Sequence, residues 1–257
     1  MEIKGCTALV TGANRGIGLG FIRQLLDQGA HRIYVASRSI ADANEIVREA
    51  PDNLVALQLD VTNPDQVALA ARSCTDVTLL VNNAGVYLGE TLMKAETMDA
   101  MRVEMEVNYF GVISMCRAFA PILKKNGGGA IANINSAGGI ISSPIMGGYS
   151  PSKFAARSAT TCIRAEIAPS GTLVTALIVG SVDTRMAASV IGAKAKPEDI
   201  AKQGLFAIKN NIDEWDTDPM AINVRAKLAL DPKAMEIMMR KRLESGVLNT
   251  AESTKIY

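Results

Sequence analysis

The sequence predicts an α/β protein: a doubly wound parallel β-sheet with helices on both faces, in a single domain. Three observations predict it. Short apolar runs alternate with helical stretches over most of the chain. The runs are apolar throughout, the mark of strands buried on both faces. The first run ends in a glycine-rich turn that opens directly into a helix.

TALVTG (7–12) is the first strand. The helix GIGLGFIRQLLDQ (16–28) follows and stops at Gly29, a residue suited to the backbone just past a helix end. RIYVASR (32–38) is the second strand, and a helix over about 40–49 is closed by Pro51. LVALQLDV (54–61) is the third strand. NPDQVALAARSC starts the next helix, with Asn63 as cap and Pro64 at the first helical position. VTLLVNNAG (77–85) is the fourth strand and a long helical region covers about 96–124. GAIANINSA (129–137) is the fifth strand, a helix covers about 149–168, and TLVTALIVG (172–180) is the sixth strand. Beyond the helix PEDIAKQGLFAIKN (197–210) the pattern weakens. NIDEWDTDP is polar and is read as a short, irregular edge strand, followed by a helical tail over about 220–243. The last stretch, GVLNTAESTKIY, is expected to be poorly ordered. No linker and no repeat of fixed period divides the chain.

Composition narrows the function classes. At 257 residues, 48% hydrophobic but only 4% aromatic, the chain can bury a large Ala/Val/Ile/Leu core. A net charge of +1 gives no field that draws it to nucleic acid or a membrane surface. No apolar run reaches the ~18 residues that span a bilayer. MEIKGCTALVTG lacks the layout of a signal peptide, because its apolar stretch runs straight into the glycine turn. Cys6, Cys74, Cys116 and Cys162 are scattered without CxxC spacing, so they read as reduced thiols of a cytoplasmic protein, three of them packing residues. His31 is the single histidine, which argues against a metal site and against a Ser-His-Asp triad.

The first turn reads Thr11-Gly12-Ala13-Asn14-Arg15-Gly16-Ile17-Gly18. Its glycines permit a tight turn and bring an anion against a helix N-terminus, where free N–H groups and the helix dipole attract it. At the end of the second strand stand Ala36-Ser37-Arg38, with no acid to hold ribose hydroxyls. Farther on, Tyr149 and Lys153 fall one helical turn apart on one face, and Pro151 sits in that helix's first turn, where its missing N–H costs little.

The spacing G-x-x-x-G-x-G resembles that of the short-chain dehydrogenase/reductase family, in its pattern TGxxxGxG. Other signatures of that family's short, single-domain branch follow in order: Asp60, Asn82-Asn83-Ala84-Gly85, Asn108, Ser136, Tyr149 and Lys153. The resemblance covers roughly residues 5–185. It implies a Rossmann-type sheet, NADP(H) as cofactor, and hydride transfer between the nicotinamide and a carbonyl or secondary alcohol. Residues about 1–150 then form the cofactor part, about 136–200 the catalytic helix and a substrate lid, and about 211–257 a variant C-terminal segment.

By that resemblance Gly12, Asn14, Arg15, Gly16, Ile17 and Gly18 hold the pyrophosphate side. Arg15 and Arg38, with Ser37, look like a pocket for the 2′-phosphate, which an arginine can clamp bidentately. Asp60 and Val61 resemble the adenine-edge contacts; Asn82, Asn83, Ala84 and Gly85 resemble a segment that either lines the adenine-side ribose or stabilises the sheet. Gly180, Val182 and Thr184 resemble the nicotinamide side. Tyr149 is the expected acid/base. Its phenol, with a reference pKa of ~10, is to be lowered by the Lys153 ammonium and the oxidised nicotinamide. Lys153 also binds the nicotinamide ribose in the family. Ser136 is the hydroxyl that holds the substrate oxygen, and Asn108 resembles the helix-kinking asparagine whose backbone carbonyl holds a water linked to the lysine.

Two departures from the family pattern stand out. Val179 replaces the usual proline before Gly180, which predicts a less rigid turn, and the glycine-rich last strand is missing. The helices at 96–124 and 149–168 resemble the family's dimer face, so a homodimer or homotetramer is expected. For a small-molecule substrate, an apolar pocket is expected from Ile140, Ile145, Met146, Met186 and Ile191, with 185–196 as lid; core packing explains the same residues equally well. The competing functions are a non-catalytic NADP-binding sensor or scaffold, and a lyase or dehalogenase on the same fold. Retention of Tyr149, Lys153 and the glycine loop argues against both.

Overall fold

The computed structural model describes residues 1–244, and the expectation of poor order in GVLNTAESTKIY lies outside the described residues. Each apolar run becomes a strand. β1 (Thr7–Thr11), β2 (Arg32–Ser37), β3 (Leu54–Gln58), β4 (Leu79–Asn82), β5 (Gly129–Ser136), β6 (Thr172–Val179) and β7 (Glu214–Asp216) form one parallel sheet in the order β3-β2-β1-β4-β5-β6-β7. The helices between them are α1 (Gly16–Asp27), α2 (Ile40–Val47), α3 (Pro64–Ser73), α4 (Asp99–Met105), α5 (Gly111–Lys125), α6 (Tyr149–Ile167), α7 (Pro197–Lys209), α8 (Pro219–Leu230) and α9 (Pro232–Glu244).

The uniform apolarity of the strands follows from burial on both faces. In β1, Ala8 and Val10 pack with Phe21 and Leu25 of α1 and Leu205 of α7, while Leu9 packs with Met115 and Phe119 of α5 on the other side. Local signals end the helices as expected. Asn63 Oδ1 accepts from the N–H groups of Asp65 (3.0 Å) and Gln66 (3.1 Å) at the start of α3. Gly29, at φ +77°, closes α1, and its N–H donates to Leu26 O at 2.9 Å. Cys6, Cys74 and Cys116 are buried and Cys162 is exposed, in line with three packing thiols. Among the described residues no helix is long and apolar enough to cross a membrane.

Two helical regions differ from expectation. The region 96–124 begins only at Asp99 and is interrupted between α4 and α5 by a wide turn over Glu106–Phe110, where Gly111 N–H reaches back to Glu106 O. The cause is tertiary. Asn108 turns its amide away from its own helix to pair with the backbone of Val86. Gly111 in turn lies so close to Val61 that a Cβ there would come 2.7 Å from Val61 Cγ2. The tail 220–243 is two helices, because Asp231 precedes Pro232 and takes extended backbone (φ −153°, ψ 91°).

The edge strand β7 has three residues, and β6 pairs Leu177 with its central Trp215. Charge holds it from both sides. Arg157 of α6 donates to both Glu214 oxygens (2.7 and 2.9 Å), and Arg225 of α8 reaches Glu214 at 2.8 Å and Asp216 at 2.6 Å. Burial alone would raise the Glu214 carboxyl; the two guanidinium groups outweigh it and hold it below the usual range. A depressed carboxyl stabilises the fold above its unfolded pKa, and that contribution disappears as pH falls through the folded value. We therefore expect Glu214→Gln to lower the free energy of unfolding at neutral pH by about 1–2 kcal/mol. The gap to the wild type should close below pH ~4, measured by urea titration.

Candidate active site

The sheet reverses its winding between β1 and β4, so the helices that follow these strands leave on opposite faces. Across the carboxyl ends of the strands lies a cleft of about 1030 Å³. Most of the predicted site residues line it.

At one end is the glycine loop. Gly12 (φ +61°) and Gly16 (φ +55°) use left-handed backbone, and a Cβ on Gly12 would come 3.1 Å from Ala84 Cα. Asn14, Arg15, Gly16 and Ile17 line the cleft, and α1 starts without a side-chain cap, leaving its first N–H groups to a bound anion. Gly18 does not line the cleft. A Cβ there would strike Gly12 O and lie 2.6 Å from Asn83 Nδ2, so its part is to let α1 pack against the loop. Ser37, Arg38, Asp60 and Val61 continue the wall. The fold adds a residue that sequence reasoning missed: Asp42, from the first turn of α2, also lines this end, held by Asn14 Nδ2 (2.8 Å) and Ser39 Oγ (2.8 Å).

The doublet after β4 divides its labour. Asn82 is buried and donates to Asn133 Oδ1 at 2.8 Å, a role in the sheet. Asn83, Ala84 and Gly85 line the cleft. Asn83 Nδ2 donates to the carbonyls of Thr11 (2.8 Å) and Gly12 (3.0 Å), while Thr11 Oγ1 accepts from the N–H groups of Asn83 and Ala84, both at 3.0 Å. Thr11 was not singled out by sequence; its signal is a hydroxyl at the end of an apolar strand, directly before the first loop glycine.

Ser136, at the end of β5, and Tyr149 and Lys153, one turn apart on α6, meet on the cleft wall. Lys153 is 4% exposed, and its Nζ donates to Ile134 O at 2.9 Å and lies 5.8 Å from the Tyr149 ring centre. Burial pushes the Lys153 ammonium down to about 8. Burial pushes the Tyr149 phenol up to about 12, against the hydrogen bond it shares with Ser136, with Glu104 and Tyr87 adding to the rise. Among this chain's own groups desolvation outweighs the Ser136 hydrogen bond at the Tyr149 phenol. Tyr87 stacks edge-on against Tyr149, ring centres 5.3 Å apart at 69°.

Asn108 stands behind this wall, fully buried. Its Oδ1 accepts from Val86 N–H (2.9 Å), and its Nδ2 donates to Val86 O (2.9 Å) and Ser152 Oγ (3.0 Å). It thus ties the segment after β4 to the helix that carries Tyr149. Asn135, 2% exposed, lines the cleft with neither amide atom bonded to the described residues, a donor and an acceptor left for a bound group.

At the far end Gly180, Val182 and Thr184 line the cleft. The turn without proline is not loose. Gly180 N–H donates to Asp218 Oδ2 at 2.7 Å, and Asp218 also accepts from Met220 (3.0 Å) and Ala221 (3.1 Å) as the cap of α8. The segment 185–196 is pinned by Lys194 Nζ on Ala187 O (2.8 Å) and Ala195 N–H on Ser181 O (2.9 Å). Of the five apolar residues expected at the substrate, Met186 lines the cleft. Ile140 packs on Ala221 of α8 and Ile191 projects into solvent at 94% exposure, while Met146 Sδ lies beside Gly138, against the same spot as Ser136 Oγ and the Tyr149 ring. Tyr87, Leu88 and Val103 take their place in the wall.

Three comparisons bear on this arrangement. A short-chain dehydrogenase from Burkholderia cenocepacia, solved in complex with NADP, is 38% identical and superimposes with a TM-score of 0.88, over 93% of this chain and 99% of its own. The 3-ketodihydrosphingosine reductase of Bacteroides thetaiotaomicron is 35% identical over 165 residues, which is 63% of this chain but only 58% of the reductase. The 3-alpha-(or 20-beta)-hydroxysteroid dehydrogenase of Mycobacterium tuberculosis is 32% identical over 79% of this chain and 77% of its own length. The family model described as short chain dehydrogenase matches residues 6–195. That span takes in β1 to β6 with every turn that borders the cleft at their ends, and so the chain belongs to the short-chain dehydrogenase family of oxidoreductases.

Proposed function

We propose that this chain is an NADP(H)-dependent carbonyl reductase or alcohol dehydrogenase. The observation that carries the reading is the meeting of Ser136, Tyr149 and Lys153 on the wall of a cleft whose other end is an uncapped, glycine-lined helix start. The dinucleotide, when bound, supplies or accepts the hydride. The protein holds it with Gly12, Asn14, Arg15, Gly16 and Ile17 at the pyrophosphate, Asp60, Val61, Asn83, Ala84 and Gly85 along the adenosine side, and Gly180, Val182 and Thr184 at the nicotinamide. Arg15 and Arg38 meet the 2′-phosphate. Asp42 opposes that charge, but Asn14 and Ser39 engage both its oxygens and two arginines outnumber it.

In reduction Tyr149 gives its proton to the substrate oxygen, and in oxidation it takes one. Ser136 holds that oxygen beside the phenol. The Lys153 ammonium stabilises the phenolate that forms, and Asn108 keeps the wall behind it in register. The substrate is a ketone or secondary alcohol on an apolar skeleton. Tyr87, Leu88, Val103 and Met186 support this, as do the ketosphingoid and steroid substrates named for the two relatives. A cytoplasmic homodimer or homotetramer fits, with Phe110 left 48% exposed between α4 and α5.

The deciding experiment is NADPH oxidation against a panel of ketones and aldehydes. Tyr149→Phe should cut turnover by at least ~10²-fold while NADPH still binds; turnover that survives would sink the mechanism, and tight NADPH binding with no turnover of any carbonyl would favour a sensor. Arg38→Ala should cost about tenfold in preference for NADPH over NADH, read as a ratio of kcat/KM values. Because Lys153 titrates near 8 and Tyr149 well above it, the rate of reduction should fall as pH rises through about 8. Lys153→Arg should move that limb upward if it retains activity.

A further inference from the structure

Among the described residues two carboxylates are buried, Glu104 and Asp218. Asp218 is explained by the Gly180 turn and the cap of α8. Glu104 is 2% exposed, sits on α4 one turn before Asn108, and has no role in the chemistry above. Its Oε1 accepts from Leu88 N–H at 2.7 Å. Its Oε2 occupies the space beside Gly148, where any Cβ would collide with it. Gly148 precedes α6, the helix of Tyr149 and Lys153, and no side chain caps that helix. The carboxylate therefore lies against the positive end of the helix that carries the acid/base.

Glu104 and Asn108 work as a pair. Asn108 grips the backbone of Val86 from behind the cleft, and Glu104 grips Leu88. Tyr87 lies between the two gripped residues, lines the cleft, stacks on Tyr149 and donates from its OH to Ile145 O at 3.2 Å. Gly147 N–H donates to Glu90 O at 2.9 Å, closing the same wall from the α6 side.

We propose that Glu104 is a positioning residue: its carboxylate fixes the substrate-side wall, Tyr87 against Tyr149, and its hold on Leu88 weakens when it takes up a proton. The geometry carries this, and the chemistry of the group fits it. Burial raises the Glu104 carboxyl to about 7, against the Leu88 N–H and with the negative charge of Glu90. The titratable groups facing it are Glu90 and Tyr87 on the wall and Tyr149 on α6. A charge-assisted bond is roughly twice as strong as a neutral one, so the wall tightens as pH rises through neutrality.

The kinetic half rests on the proposed reductase activity; the structural half does not. The direct test is hydrogen exchange at the Leu88 amide in the wild type, with the intrinsic pH dependence divided out. Protection should rise about fivefold from below to above pH ~7, and equal protection on both sides overturns the proposal whether or not the chain is a reductase. Where turnover is found, KM for the carbonyl should rise about fivefold as pH falls through neutrality while KM for NADPH holds. In Glu104→Gln, whose amide still accepts from Leu88, that dependence should vanish. The same slope in Glu104→Gln, or a parallel shift in KM for NADPH, refutes the assignment.

Discussion

The cleft exists because the sheet winds in two directions from one seam. β1 and β4 are neighbours, yet the chain leaves β1 for one face and β4 for the other, so their carboxyl ends open onto a gap that no helix fills. A gap bordered by loop ends is unstable in shape unless something fixes its rim. Thr11 and Asn83 do this: one hydroxyl accepts two N–H groups from the β4 turn, and one amide donates to two carbonyls of the β1 loop. With the rim fixed, the positive-φ glycines and the uncapped start of α1 hold their places, and every residue assigned to a nucleotide is measured from them.

The second constraint is electrostatic. An ammonium at 4% exposure costs free energy unless it is bonded, and Lys153 has the Ile134 carbonyl as its one hydrogen bond among the described residues. That imbalance depresses its pKa, while the same burial raises that of Tyr149. Burial thus moves the two groups in opposite directions, the phenol toward keeping its proton and the ammonium toward losing its own. A negative charge forming on the phenol reverses the cost of burying the ammonium, because the two then stabilise each other across low-dielectric space. The wall's rigidity serves that balance. Asn108 anchors Val86 and Ser152 at once, so the segment carrying Tyr87 is tied to the helix carrying Tyr149.

What the sequence made legible is what depends on neighbours along the chain. The apolar strands, the Asn63-Pro64 helix start, the Gly29 stop and the loop over Gly12–Gly18 are written in short windows; the structure reproduces them within a residue or two, except that β3 and β4 end three residues earlier than the sequence reading had them. The resemblance that ordered Ser136, Tyr149 and Lys153 also brought them to one wall. What was not legible is set by residues far apart. The break at 106–110 answers to Val86 and Val61, the acid held by Asn14 of the glycine loop comes from α2, and Ile140 packs where α8 covers it. Glu104 is the sharpest case. In sequence it is one charge in a helix, indistinguishable from the exposed Glu106 side, and its burial follows only from Gly148 lying opposite it.

The C-terminal segment shows how a lost local constraint can be replaced by a distant one. A proline before Gly180 would have fixed one backbone angle and removed an N–H from the end of β6. With Val179 there instead, β6 keeps a normal residue at its end, and the turn must be restrained by a partner. Asp218 supplies it by accepting from Gly180 N–H while capping α8, so the turn and the helix are held by one carboxylate. That arrangement works only if β7 is in register, because Asp218 follows it by two residues. The register in turn is held by Arg157 and Arg225 on Glu214 and Asp216. The polar stretch that looked like a degraded last strand is therefore a chain of charges that ends at Gly180, on the wall of the cleft.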